Sequence, residues 1–347
     1  MGRKYRIAVI EGDGVGPEIV SEALRLLGEL GFDAEYIKID AGWKYYEETG
    51  KPIEDDALDK IRSTDALIKG PVTTPVGPGT YRSVNVYLRK TLGLYANVRP
   101  FKSFKNVSLR ELDVIIVREN TEGAYSGVEE RFDDKAISYR IITRSATERI
   151  VRFAFDLARK LGRRKVTVVH KANILKESDG LFRNIFFEIA REYGDIEHDE
   201  VIVDAAAYKL VKRPQIFDVI VTPNLYGDIL SDLVAGLVGG LGLCGSAQIG
   251  ENYAAFEPVH GTAKSIAGKG IANPIGEIRA AALMLEWLGE KYSDEKLKKL
   301  SRAINSAIVR VVEEGKVLPQ DIGGTAKTVD VTNEIIFKSK TFLKHSP

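Results

Sequence analysis

Cysteine is nearly missing from this 347-residue chain, in which Cys244 stands alone. A single cysteine excludes an intramolecular disulfide framework and a cysteine-rich zinc site, and it fits a cytoplasmic location. An excess of charge of one sign is missing too. Fifty Lys and Arg against forty-nine Asp and Glu leave +1, so no global positive field recruits nucleic acid or an anionic membrane. No apolar run approaches bilayer-spanning length. The first residues pass directly into a strand-like run, without the hydrophobic region of a signal peptide. Two methionines beside abundant Lys, Arg and Glu match a hot-environment composition. What is present is globular: 44% apolar and 29% charged residues, in a length that suggests about two domains.

Short β-branched runs alternate with longer helical patterns, the signature of a largely parallel α/β sheet. Strands are expected at 5–10, 35–39, 66–69, 114–117, 166–169 and 219–222, several of them apolar at consecutive positions as if covered on both faces. Helices are expected at 17–30, opened by Pro17, at 147–161, opened by the capping box Ser145-x-x-Glu148 and stopped at Gly162, and at 277–288 and 294–312. Residues 136–143 alternate Ile137, Tyr139 and Ile141 with Ser138 and Arg140, which reads as an exposed ribbon, either a partner-binding arm or an ordinary edge hairpin. There is no internal repeat. Residues 98–104 and the glycine-rich 236–250 read as crossings between domains, which would make one domain discontinuous.

Several familiar motifs fail. Gly12-Asp13-Gly14-Val15-Gly16-Pro17 follows a strand and opens a helix, but the dinucleotide fingerprint needs glycine where Pro17 stands. The helix N-terminus there is still able to serve a ligand. Gly240-x-Gly242-x-x-Gly245 satisfies the fingerprint but follows a helical pattern, so its context is wrong. No P-loop and no G-x-S-x-G occurs, and His170, His198, His260 and His345 lack metal-ligand spacing. Arg163-Arg164-Lys165 is a solvated helix end rather than a nucleic-acid patch.

Other segments carry chemistry. Arg89, Arg99 and Arg118 form a set, and Arg118 ends a strong strand, where open α/β sheets place ligands. Converging guanidiniums suit a polycarboxylate, whereas scattered ones are surface salt bridges. Asp228 and Asp232 are spaced i,i+4 on one helical face. Together they suit a hard cation such as Mg²⁺ or Mn²⁺, and singly they compensate a helix dipole. Lys171 ends another strand, where it is suited to proton transfer, and Tyr125 is a candidate acid counterpart.

Six motifs in order resemble the β-decarboxylating dehydrogenases of 2-hydroxy acids, the isocitrate, homoisocitrate and 3-isopropylmalate dehydrogenases. They are GDGVGPEI from Gly12, LRKTLGLYANVRP from Leu88, RENTEG from Arg118, HKAN from His170, NLYGDILSD from Asn224 and EPVHGTAKSIAGKGIANP from Glu257. The resemblance covers nearly the whole chain. It implies a two-domain α/β fold with a mixed sheet and no Rossmann fingerprint. Residues 1–98 and 241–347 would form a large cofactor-binding domain, and 99–240 a smaller domain for dimerisation, metal and substrate, with a β arm near 130–143. It also implies a homodimer, with tetramers open, whose active sites combine both subunits. Substrate would meet Ser83, Asn85, Arg89, Arg99, Arg118, Tyr125, Lys171 and Asn173, with Tyr125 and Lys171 catalytic. Asp204, Asp228 and Asp232 would hold Mg²⁺ or Mn²⁺, with Lys171 and Asp204 arriving from the partner. Thr74, Asn173, His260, Gly261, Thr262, Ala263, Ser265, Ile266 and Asn273 would face the dinucleotide.

Within the family, Ser83 and Asn85 resemble the pair that isocitrate dehydrogenases direct at the distal carboxylate, where isopropylmalate enzymes are apolar. Ala41-Gly42-Trp43 looks like the homoisocitrate type. A tricarboxylic acid, isocitrate or homoisocitrate, is therefore the expected substrate. Isopropylmalate oxidation and a non-catalytic regulatory subunit are the alternatives. NADP-using relatives carry Lys-Tyr where this chain has Ser265-Ile266, and Tyr and Arg where it has Gln320 and Gly324, so NAD is expected ahead of NADP.

Overall fold

A computed structural model describes residues 3–77 and 79–345, without the His345 side chain. Ten strands form one sheet. In chain order they are β1 (Tyr5–Ile10), β2 (Ala34–Lys38), β3 (Ala66–Lys69), β4 (Ala96–Lys102), β5 (Asp113–Glu119), β8 (Lys165–His170), β9 (Glu197–Ile202), β10 (Val219–Thr222), β11 (Gly245–Ile249) and β12 (Ala254–Pro258). The other two, β6 (Glu129–Arg131) and β7 (Ala136–Ser138), pair with each other as an antiparallel ribbon. The helices are α1 (Gly16–Glu29), α2 (Trp43–Thr49), α3 (Ala57–Arg62), α4 (Val84–Thr91), α5 (Arg144–Lys160) and α6 (Ser178–Ala190). They continue with α7 (Val203–Lys212), α8 (Asn224–Val238), α9 (Ile275–Lys291), α10 (Glu295–Glu314) and α11 (Thr328–His345).

The sheet order is β2-β1-β3-β12-β11-β4-β5-β10-β8-β9. The outer pairings are parallel, and β12-β11, β11-β4 and β4-β5 are antiparallel. The sheet is thus mixed, with its strand direction reversing in the middle. Strands of residues 5–69 and 245–258 make one side, and those of 113–222 the other.

Side chains alternate between sheet faces along each strand. On one face Ala8, Ile10, Leu67 and Ala255 pack with Val84 and Leu88 of α4 in a small core, while most buried apolar residues belong to a larger core. Two positions beyond Leu67 and Ala255 on that same face come Lys69 and Glu257. Glu257 registers with Ser246, Gln248 with Asn97, and Asn97 with Arg118. A buried polar stripe therefore crosses the five central strands on a single face.

Several expectations need correction. Residues 98–104, where a crossing between domains is expected, lie mostly in β4, and 236–250 include the end of α8 and all of β11. The cap of α5 is Thr143, whose hydroxyl accepts from Ala146 N, two residues before the expected Ser145. The ribbon's strand on this side is Ala136–Ser138, and Ile141 adds an isolated antiparallel bridge to Gly123. The turn after β1 is filled by protein. Asp13 N donates to Pro71 O and Val15 N to Thr262 O. A Cβ on Gly14 would meet Thr262 O at 1.9 Å, so that glycine serves close backbone packing. The Asp13, Val15 and Gly16 amides at the entrance to α1 are thereby engaged within the protein.

Candidate active site

A cavity of about 220 Å³ lies against the polar stripe, and its walls include Ser83, Asn85, Arg89, Arg99, Arg118 and Tyr125. Arg89 is carried by α4, Arg99 by β4 and Arg118 by β5, so three distant segments bring their guanidiniums to one place. Asp228, from the second turn of α8, also lines it. Gly227 lets α8 approach closely, since a Cβ there would lie 2.6 Å from the Arg118 side chain.

The arginines are buried and individually braced. Arg118 pairs with Asp228 and donates through Nε to Asn224 Oδ1 at 2.9 Å. Arg99 donates to Ser231 Oγ at 2.6 Å and sits 3.6 Å from both Asp228 and Asp232. Arg89 donates through Nε to Gln248 Oε1 at 2.7 Å and lies 3.5 Å from Glu257. Glu257 pairs in turn with Lys69 and accepts from Gln248, while Asn120 Nδ2 donates to Gln248 at 3.1 Å. Lys69, Glu257, Gln248 and Asn120 were not singled out from sequence as site residues. They lie far apart along the chain, and only the sheet register unites them.

Electrostatically the cavity is short of negative charge. Burial and the neighbouring Arg118 lower the Arg99 pKa to about 10, and the same two causes lower that of Arg89. For Asp228 burial acts upward, but Arg118, the Tyr125 hydrogen bond and Arg99 override it and hold the carboxyl below its usual range. Asp232 goes the other way, raised by burial despite Arg99. Tyr125 donates to Asp228 Oδ2 at 2.5 Å, and burial followed by that bond raises its phenol pKa. Such a cluster is suited to a multiply charged anion.

Ser83 caps α4, its Oγ accepting from Val86 N at 3.4 Å, and its own hydroxyl proton remains to be donated. Asn85 Oδ1 is buried without a hydrogen-bond partner among the described residues. His260 and Gly261 reach the same cavity. Beyond them Thr262 holds the turn after β1, Ala263 adopts a left-handed conformation (φ 40°), and Ser265 and Ile266 lie in a short 3-10 turn. Asn273 accepts from Ile275 N at 3.0 Å at the start of α9, and Thr74 is exposed.

Lys171, Asn173 and Asp204 are not among the described residues lining this cavity. Lys171 instead pairs with Asp204 at 2.5 Å, and the Asp204 side chain is 69% exposed. Among the described residues no three His, Cys, Asp or Glu of the single chain gather as a metal site. Asp228 and Asp232, one turn apart with oxygen donors, fit two of the positions around a hard divalent ion.

The sequence profile described as isocitrate/isopropylmalate dehydrogenase matches residues 6–335. The chain is 44% identical to a homoisocitrate dehydrogenase of Methanocaldococcus jannaschii, over 95% of this chain and 96% of that one. It is 46% identical to a 3-isopropylmalate dehydrogenase of Archaeoglobus fulgidus, over 95% and 98%. The solved isocitrate dehydrogenase of Methylococcus capsulatus superposes with a TM-score of 0.90 at 46% identity, covering 97% of this chain and 99% of that one. The chain belongs to the isocitrate/isopropylmalate dehydrogenase family and is an enzyme of the β-decarboxylating dehydrogenase type.

Proposed function

We propose that this chain oxidises and decarboxylates isocitrate, homoisocitrate or both, using NAD and Mg²⁺ or Mn²⁺ in a homodimer with shared active sites. The observation that carries the substrate is the meeting of Arg89, Arg99 and Arg118 with Ser83 and Asn85 in one cavity. Three guanidiniums suit the carboxylates common to the family's substrates, and the two polar groups suit one more. Burying an unpaired hydroxyl or amide against an isopropyl group costs about 1–3 kcal/mol.

Arg89, Arg99 and Arg118 bind and orient the acid. Lys171 of a second copy takes the 2-hydroxyl proton, and Tyr125, fixed by Asp228, returns a proton to the carbon that CO₂ leaves. Asp228, Asp232 and a second copy's Asp204 would hold a divalent metal, which when bound would supply Lewis-acid polarisation, and bound nicotinamide would supply the hydride acceptor.

The case for NAD rests on missing cations. A Cβ on Gly324 would meet Leu318 O at 1.9 Å, which leaves no room for an arginine on this backbone. Lys264 sits 5.6 Å over the Trp43 ring. Support for a dimer comes from exposed apolar groups: Tyr208 and Val211 on α7, Ile229 on α8, and Phe132, Ile137 and Tyr139 in and beside the ribbon. The discontinuous domain, 1–98 with 241–347, and the smaller 99–240 correspond in this reading to the two sides of the sheet. No helix among the described residues is long and apolar enough to cross a membrane, and we place the enzyme in the cytoplasm.

A second reading, 3-isopropylmalate oxidation, is favoured by Val72 and Val86, which line the same cavity. Measuring kcat/KM for isocitrate, homoisocitrate and 3-isopropylmalate with NAD and NADP tests both readings. A preference for isopropylmalate rejects the first, a preference for NADP rejects the cofactor assignment, and absence of turnover by the pure chain points to a regulatory subunit.

A further inference from the structure

A second cavity, of about 460 Å³, lies among Lys102 at the end of β4, Arg279 of α9, Asn305, Ser306 and Arg310 of α10, and Phe342 of α11. It shares no lining residue with the substrate cavity. Three of its side chains are cations, and Glu313 is its carboxylate. Glu313 already accepts from Lys105 N at 3.3 Å.

Arg279 is the unusual member. Its Nε is buried without a hydrogen-bond partner among the described residues, and its guanidinium lies 5.1 Å over the Phe104 ring. The ionisable neighbour whose field reaches it is the Cys244 thiol. That thiol is neutral, its pKa pushed up to about 12 by burial. Burial likewise lowers the Arg279 pKa. A buried guanidinium Nε that donates to nothing among the described residues is unfavourable by itself, and a bound anion relieves it. The two cations beside it are loosely committed. Lys102 is 3.9 Å from Asp113, and the exposed Arg310 shares Glu314, its i,i+4 partner, with Lys338. Both can turn toward a ligand, because exposed pairs of this kind contribute little.

We propose that the cavity around Arg279 binds a tetrahedral oxyanion, either free phosphate or the phosphate group of a small ester, clasped by Arg279, Lys102 and Arg310 with the Ser306 hydroxyl as a neutral donor. Arginine's planar fork matches two phosphate oxygens, and flanking cations supply the remaining charge. The cavity is roomier than a bare phosphate needs, which leaves space for an ester. The assignment does not depend on which 2-hydroxy acid the enzyme oxidises.

The test is calorimetric titration of the full chain with inorganic phosphate in chloride buffer. The substrate arginines also attract phosphate, so the wild type shows two classes of site. Arg279→Met removes one class and leaves the other, whereas Arg99→Met does the reverse. The double variant Lys102→Gln, Arg310→Gln weakens the Arg279 class by at least about tenfold, as expected when charge-assisted hydrogen bonds are lost. A parallel titration with glycerol 3-phosphate separates the sources: tighter binding than phosphate assigns an ester, and equal or weaker binding assigns the free ion. Unaltered phosphate stoichiometry in Arg279→Met overturns the proposal. Should that variant fail to fold, unaltered phosphate affinity in the double variant overturns it instead.

Discussion

Gln248 holds Arg89 from the neighbouring strand, accepting its Nε at 2.7 Å across 159 positions of chain. The same amide oxygen accepts from Asn120, and its nitrogen donates to Glu257. Gln248→Leu leaves the Arg89 Nε and one N–H of the Asn120 amide unpaired in a buried place, at about 1–3 kcal/mol of stability. Substrate KM should rise about tenfold with kcat changed far less, the pattern of lost uniform binding. Steady-state kinetics beside urea unfolding checks both parts, and an unmoved KM would show that Arg89 needs no such support.

Tyr125→Phe keeps the ring and deletes the hydroxyl that Asp228 fixes at 2.5 Å. Loss of a positioned acid lowers kcat by roughly a hundredfold or more. Burial and the Asp228 bond raise the Tyr125 pKa above the usual tyrosine value, so the phenol stays protonated throughout the working range. Any alkaline fall in kcat must then persist in the variant, and a pH-rate profile of both proteins reads this directly.

Asp228→Asn preserves shape while removing a carboxylate that pairs with Arg118. Turnover that depends on added Mg²⁺ or Mn²⁺ should vanish, with the circular dichroism spectrum retained. Equal activity of variant and wild type in chelator-treated buffer would defeat the metal assignment.

Glu277, at the start of α9, is wholly buried, and neither carboxyl oxygen has a hydrogen-bond partner among the described residues. Burial raises its pKa well above the usual glutamate value. The folded state therefore holds the proton more tightly than the unfolded chain, whose glutamates titrate near about 4.3. The stability this contributes is complete below that value and is lost as pH rises through the folded pKa. Glu277→Gln does not titrate, so its Tm should gain on the wild type between about pH 5 and pH 8. Parallel Tm curves in scanning calorimetry would contradict this.

The parts of the fold most legible in sequence were those where one physical rule acts alone. β1, β3 and β10 are short, apolar and β-branched, and their bounds agree residue for residue with expectation. β4 is harder to read, because Asn97, Arg99 and Pro100 interrupt its apolar pattern. Arg99 is buried there because Asp228, Ser231 and Asp232 on α8 meet it and Asn97 accepts from its Nε, which no local window reveals. The same reason separates the site residues. Arg89, Arg99, Arg118 and Asp228 sit in distinctive motifs, whereas Gln248 lies in an unremarkable strand and acquires meaning only through its partners. Lys171 and Asp204 lie outside the cavity of the single chain, and nothing in their local sequence pattern indicates that.

The polar stripe also acts as a register lock. Gln248, Asn97 and Arg118 sit opposite one another on β11, β4 and β5. A one-residue slip of β4 would swing Asn97 and Arg99 into the layer that Ala96 and Val98 now fill. Mispaired sheets are thus penalised at the very strands where parallel order breaks down, so the groups that would grip a substrate also proofread how the chain assembles.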